Sequence, residues 1–247
     1  MPWIYLSPHP DDAALSCGGL IWEQTDAGAS VSVWTICAGD PPAGPISPFA
    51  KSLQARWHAG PQAAKQRRQE DAASCQLLCA IPLHFEYPDC IYRKDAPGGS
   101  FLYTTEESLN GSLHPAEQPL VEALSQRLST QIFPGANLVC PLAIGGHVDH
   151  RLVRQAAERL GWPLFYYADY PYAVRQPEEL ASLFSAGWQA VTYPITPAGM
   201  QAWYGSVAAH ASQISTFWPD LTSMRSAMKS YLEMQGGIIL WQPPEGP

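Results

Sequence analysis

The sequence predicts an α/β fold built on a largely parallel sheet, and three observations carry that expectation. Short runs rich in Val, Ile and Tyr alternate along the chain with longer stretches of helical period. Gly28, Gly161 and Gly187 stand just past three of the helical stretches, where a left-handed terminal residue is expected. No internal repeat or low-complexity linker breaks the alternation, so residues 1–247 read as one domain.

In chain order, "WIYLS" (3–7) is the first strand and 13–28 the first helix. "SVSVWTIC" (30–37) is a second strand, after which 38–52, with four prolines, reads as a loop before a helix over 62–80. "LHFEY" (83–87) is the third strand. Residues 88–115 make a connection too long for a compact domain unless it works as a substrate lid or binding loop. A helix over 116–132, the strand "NLVCPL" (137–142) and a helix over 149–160 follow. The strand "LFYYADY" (164–170), a helix over 178–186 and the strand "QAVTYPI" (189–195) come next. Helices over 198–214 and 221–235 and the strand "GIILW" (237–241) complete the series. Strands separated by helices imply crossover connections, and crossovers imply parallel pairing.

Composition narrows the function. The chain is 46% hydrophobic but only 15% charged, with a net charge of −8, which disfavours nucleic acid or an anionic membrane as partner. No apolar run reaches the length of a membrane span, and the start lacks the basic segment of a secretory signal. The six cysteines form no C-x-x-C pair and read as reduced thiols, so a cytoplasmic location is expected.

The chemistry sits in two clusters. "SPHPDDAALSCGG" places His9, Asp11 and Asp12 just past the first strand, and "GGHVDH" places His147, Asp149 and His150 just past the strand at 137–142. In an open parallel sheet such strand ends converge on one ligand site. Adjacent carboxylates repel, so Asp11 beside Asp12 asks for a positive charge between the clusters. Zinc with an open position takes three ligands from His, Asp and Glu, and His9, Asp12 and His150 supply that set. Asp11 is then free to take a proton from water. His147 serves the other side of the reaction, with Asp149 to fix its tautomer.

These two motifs resemble those of the PIG-L/LmbE-like zinc-dependent N-acetylglucosaminyl deacetylases. Weaker echoes are "RRQEDAASCQLL" (67–78), "YPD" (87–89) and "HASQ" (210–213), so the resemblance runs from residue 3 to residue 213 in the right order. It implies a Rossmann-like three-layer fold and a metal bound through His9, Asp12 and His150: Zn2+, or another divalent transition metal such as Fe2+. It also implies Asp11 as general base and His147, assisted by Asp149, as stabiliser of the tetrahedral intermediate. The substrate it implies is an N-acetylated sugar. The chain departs from the family pattern at Ala13, where Glu is usual, and at "AWYGSVAA" (202–209), where a lysine is usual.

Around these clusters, Arg68, Asp89, Tyr103 and Tyr170 are the candidate substrate contacts. Asp89 follows a strand end, and aromatic side chains pack on the C–H faces of sugars as readily as on a core. Two readings stay open for Arg68: the pocket, or a pair with Glu70 or Asp71. The alternatives to a sugar deacetylase are an amidase for another N-acyl group, an Fe(II) oxygen enzyme, or a non-catalytic carbohydrate binder.

Overall fold

The computed structural model describes residues 1–57 and 60–244. Its strands are β1 (Trp3–Ser7), β2 (Val31–Thr35), β3 (Ile81–His84), β4 (Asn137–Pro141), β5 (Leu164–Tyr167), β6 (Gln189–Tyr193) and β7 (Ile238–Gln242). The helices of the first half are α1 (Asp12–Asp26), α2 (Pro48–Arg56), α3 (Ala63–Leu77), α4 (Glu106–Leu109), α5 (Gln118–Gln131) and α6 (Val148–Glu158). Those of the second are α7 (Tyr172–Arg175), α8 (Pro177–Ser185), α9 (Pro197–Ala209), α10 (Ala211–Phe217) and α11 (Leu221–Gln235).

The seven strands form one sheet in the order β3-β2-β1-β4-β5-β7-β6. Pairing is parallel from β3 to β5, and β7 runs antiparallel to both its neighbours. β1 lies at the centre of the five parallel strands, with Trp3 opposite Val31 on one side and Asn137 on the other. The chain moves outward from β1 in one direction through β2 and β3, then crosses back to build β4 and β5 on the other. That reversal opens a crevice beyond the carboxyl ends of β1 and β4.

Alternation along each strand fills both faces. Ile4 and Leu6 join Leu138 and Cys140 in a core closed by α5 and α6. Tyr5 and Val139 point the other way, into a core closed by α1, α9 and α11. Within that second layer Gly18 allows α9 its close approach, because a Cβ there would lie 2.6 Å from Cδ1 of Trp203. Fully buried Trp203 in turn donates from Nε1 to the Ala14 carbonyl at 2.8 Å. Gly18→Ala would overpack this contact, a change that costs about 1–3 kcal/mol.

Three elements differ from expectation. The stretch 38–52 holds the start of α2, where Ser47 accepts from the Ala50 N–H and Pro48 sits in the first turn; proline begins a helix as readily as it belongs to a loop. The expected single helix over 198–214 breaks at His210 into α9 and α10. The expected third strand over 83–87 instead runs Ile81–His84, with Pro82 tolerated because β3 is an edge strand.

The long connection is pinned from beneath. Arg93 is buried between Glu117 and Asp149, and Asp149 Oδ1 lies 2.6 Å from its Nη1. Tyr103 donates its hydroxyl proton to Glu117 at 2.6 Å. These contacts tie the connection to the start of α6 and to the turn before α5.

Candidate active site

The turn after β1 is tied by Ser7, whose hydroxyl donates to the His9 carbonyl at 2.7 Å and accepts from the Ala13 N–H at 3.0 Å. Asp11 holds φ at 143°, a strained value for a residue with a side chain. It occupies the cap position of α1 but makes no capping bond, so its buried carboxylate is free to face the cleft. The turn after β4 uses Gly145 and Gly146, both at positive φ, and a Cβ on Gly145 would come within 3.0 Å of the Tyr172 ring.

The two turns converge as their positions require. Ring nitrogens of His9, His147 and His150 lie within 4.8 Å of one another. Asp12 Oδ2 lies 3.2 Å from His9 Nδ1 and 3.3 Å from His150 Nε2. The remaining ring nitrogens are held from behind: His9 Nε2 by Asp149 Oδ2 at 2.9 Å, and His150 Nδ1 by Asp169 Oδ1 at 2.6 Å. Asp169 Oδ2 accepts from the Ile144 N–H at 2.8 Å. Histidines that are oriented through their second nitrogen by a carboxylate are the usual form of metal ligand.

Asp149 departs from its expected place. Its carboxylate orients His9, accepts from the Cys90 N–H at 3.1 Å and pairs with Arg93. Only its backbone reaches His147, donating to Nδ1 at 3.2 Å. That bond still sets the neutral tautomer, with the proton on Nε2.

Charge organises the site. Burial pulls the His9 imidazole down, but bonds to Asp12 and Asp149 outweigh it and raise it to about 10. Burial likewise opposes charge on His150, and Asp12 and Asp169 reverse that and raise it well above the usual histidine range. Asp12 resists its burial through His150 and His9 and stays well below the carboxylate range, as Asp149 does through Arg93 and His9. Burial raises Asp11 to about 7 against the opposing pull of Arg67. Burial and the charges of His9 and His150 push His147 well down, so it stays neutral. Two protonated histidines thus balance buried carboxylates without a metal. A divalent cation on the same donors would replace both protons charge for charge, so the residues present fit a metal.

The cleft over the cluster encloses roughly 320 Å³. The connection 88–115 supplies one wall through Asp89, Ile91, Glu106, Leu109 and Asn110. Trp57, Arg67, Tyr172 and Gln213 line the cleft as well. Arg67 lies 3.5 Å from Asp11 Oδ1 and 3.8 Å from Asp89 Oδ2, over the Trp57 ring.

Of the four expected substrate contacts, only Asp89 lines this cleft. Arg68 turns outward and donates to the Ala38 carbonyl at 2.6 Å and to Asp40 at 2.9 Å; a one-residue step turns a helical side chain by about 100°. Tyr103 is buried on Glu117. Tyr170 is buried against Trp203, Trp218 and Tyr231. Arg67 and Tyr172 take the places expected for Arg68 and Tyr170. Asp169 was also missed, although "YYAD", which runs out of the end of β5, repeats the pattern of an acid at a strand end.

A family model described as PIG-L, GlcNAc-PI de-N-acetylase, matches residues 4–160. A 2'-N-acetylparomamine deacetylase of Niallia circulans is 29% identical over 215 residues, 76% of this chain and 72% of its own. A 2'-N-acetylparomamine deacetylase of Streptomyces fradiae is 30% identical over 180 residues, 69% of this chain, which spans only 57% of the relative's length. Among solved structures, the zinc-inhibited form of the teicoplanin deacetylase Orf2 superposes with a TM-score of 0.83 over all of both chains at 24% identity.

Proposed function

The chain belongs to the PIG-L family of de-N-acetylases, and from that premise we propose that it removes the acetyl group from an N-acetylated amino sugar within a larger conjugate. The names of the two curated relatives support an amino sugar joined to an aglycone. The observation that carries the chemistry is Asp11: a buried carboxyl, raised to about 7, with no capping bond, beside a cluster suited to a cation.

His9, Asp12 and His150 would hold a divalent ion, which we assign as Zn2+. Such an ion supplies Lewis-acid polarisation of the amide oxygen and of water. Asp11 accepts the proton as water oxygen attacks the acetyl carbon. His147 donates from Nε2 to the oxygen that gains negative charge. As the C–N bond breaks, the proton held by Asp11 passes to the departing nitrogen, leaving acetate and a free amine. Arg67 and Asp89 offer charged groups to sugar hydroxyls, while Trp57 and Tyr172 offer apolar faces. A cleft of this size suits one ring, with the aglycone outside.

Metal-reconstituted protein should release primary amine from N-acetylated amino-sugar conjugates and lose that activity after chelation. No amine release over a panel of acetamido sugars and conjugates, with the metal in place, would overturn the reading.

A further inference from the structure

We propose that Cys90, His147 and Asp149 form a second divalent-metal site beside the catalytic cluster, one that favours thiophilic ions such as Zn2+ and Cd2+. One ligand atom from each of these residues lies within 4.8 Å of the other two. Cys90 is a free thiol, fully buried, at the head of the single turn Cys90–Tyr92 in the long connection. His147 and Asp149 flank the start of α6. The Cys90 N–H bond to Asp149 Oδ2 at 3.1 Å fixes one element on the other, and Arg93 holds Oδ1. His147 lines the cleft, and Cys90 and Asp149 are fully buried.

Three protein ligands and a water satisfy the coordination of Zn2+. A thiolate among them selects Zn2+ or Cd2+ over Mg2+, Ca2+ and Mn2+, which prefer oxygen. As the sulfur–metal bond forms, the Cys90 thiol proton leaves to solvent. The site shares no ligand with His9, Asp12 and His150, and it meets that set where Asp149 Oδ2 lies 2.9 Å from His9 Nε2. Occupation would remove His147 as a donor to the amide oxygen, making excess zinc an inhibitor. That consequence rests on the function proposed above; the binding site itself does not.

The test is a Co2+ titration of the metal-free protein, following near-ultraviolet thiolate-to-cobalt charge transfer. The first equivalent should bind without the band, and the second should bring it. Cys90→Ser should abolish the band and leave the first equivalent bound. His147→Asn should weaken the second equivalent by more than about tenfold, since loss even of an outer partner costs about 10–100-fold in affinity. This second variant decides the matter if Cys90→Ser does not fold. No band at excess Co2+, a band with the first equivalent, or a band that survives Cys90→Ser overturns the site. In the enzyme assay, Cys90→Ser should relieve inhibition by zinc beyond one equivalent. If no deacetylation is found, the function fails while the cobalt band still reports on the site.

Discussion

At the ends of β1 and β4 the reactive side chains sit in the strand-end turns and in the first turns of α1 and α6, whereas the cleft walls come from α3, α7, α10 and the long connection. In the turns, Pro8, Pro10 and the positive-φ pair Gly145 and Gly146 leave little choice of direction. Along the walls, direction depends on helix register and on what lies beneath: Arg67 faces the cleft while Arg68 faces Asp40, and Tyr172 faces it while Tyr170 lies in the core. The difference teaches that a reactive centre is set locally and its selectivity remotely. Variants in the turns should therefore strike turnover, and variants in the walls should strike binding or stability.

Asp11→Asn is the strongest test of the first half. It keeps volume and removes the proton acceptor, so kcat should fall by roughly 10²–10⁴ with metal content unchanged, read by steady-state kinetics and elemental analysis. Near wild-type turnover would return Asp11 to a structural role.

The paired tyrosines come next. Tyr170→Ala should cost about 3–5 kcal/mol of stability, seen as a lower denaturation midpoint, because it empties a site packed by Trp203, Trp218 and Tyr231. Tyr172→Ala should instead raise KM. Equal effects on KM would erase the distinction drawn between core and wall.

The paired arginines sharpen it further. Arg67→Gln removes the positive charge that pulls Asp11 down, so the acidic limb of kcat/KM should move up by about one pH unit or more. Arg68→Gln, on a partly exposed pair with Asp40, should stay within about 0.5 kcal/mol and leave the profile in place.

The smallest effect is a slope. His9 rises from 6.5 to about 10 on folding, so its contribution to the metal-free protein is fully present below 6.5 and is lost as pH climbs through about 10. The melting temperature of chelator-treated protein should fall across that window. Metal should restore more stability at the alkaline end, where it no longer competes with protons. A flat profile would show that His9 is neutral without metal.

The sequence by itself determined the sheet, the two strand-end clusters and the six residues His9, Asp11, Asp12, His147, Asp149 and His150. Those follow from local rules: apolar alternation marks strands, and residues just past a parallel strand's carboxyl end lie at the crevice. The partners behind the cluster were decided only by tertiary structure. Asp149 turned its carboxylate to His9 because Cys90 N–H and Arg93 hold it there, and both belong to a connection 59 and 56 residues away in sequence. Asp169 met His150 because β5 pairs beside β4. Arg67 was chosen over Arg68 by the rotation of α3 about its axis, which is set by the packing of that helix against α9. A rotation of this kind follows from the sum of contacts along the helix, and no residue in "RRQED" records it.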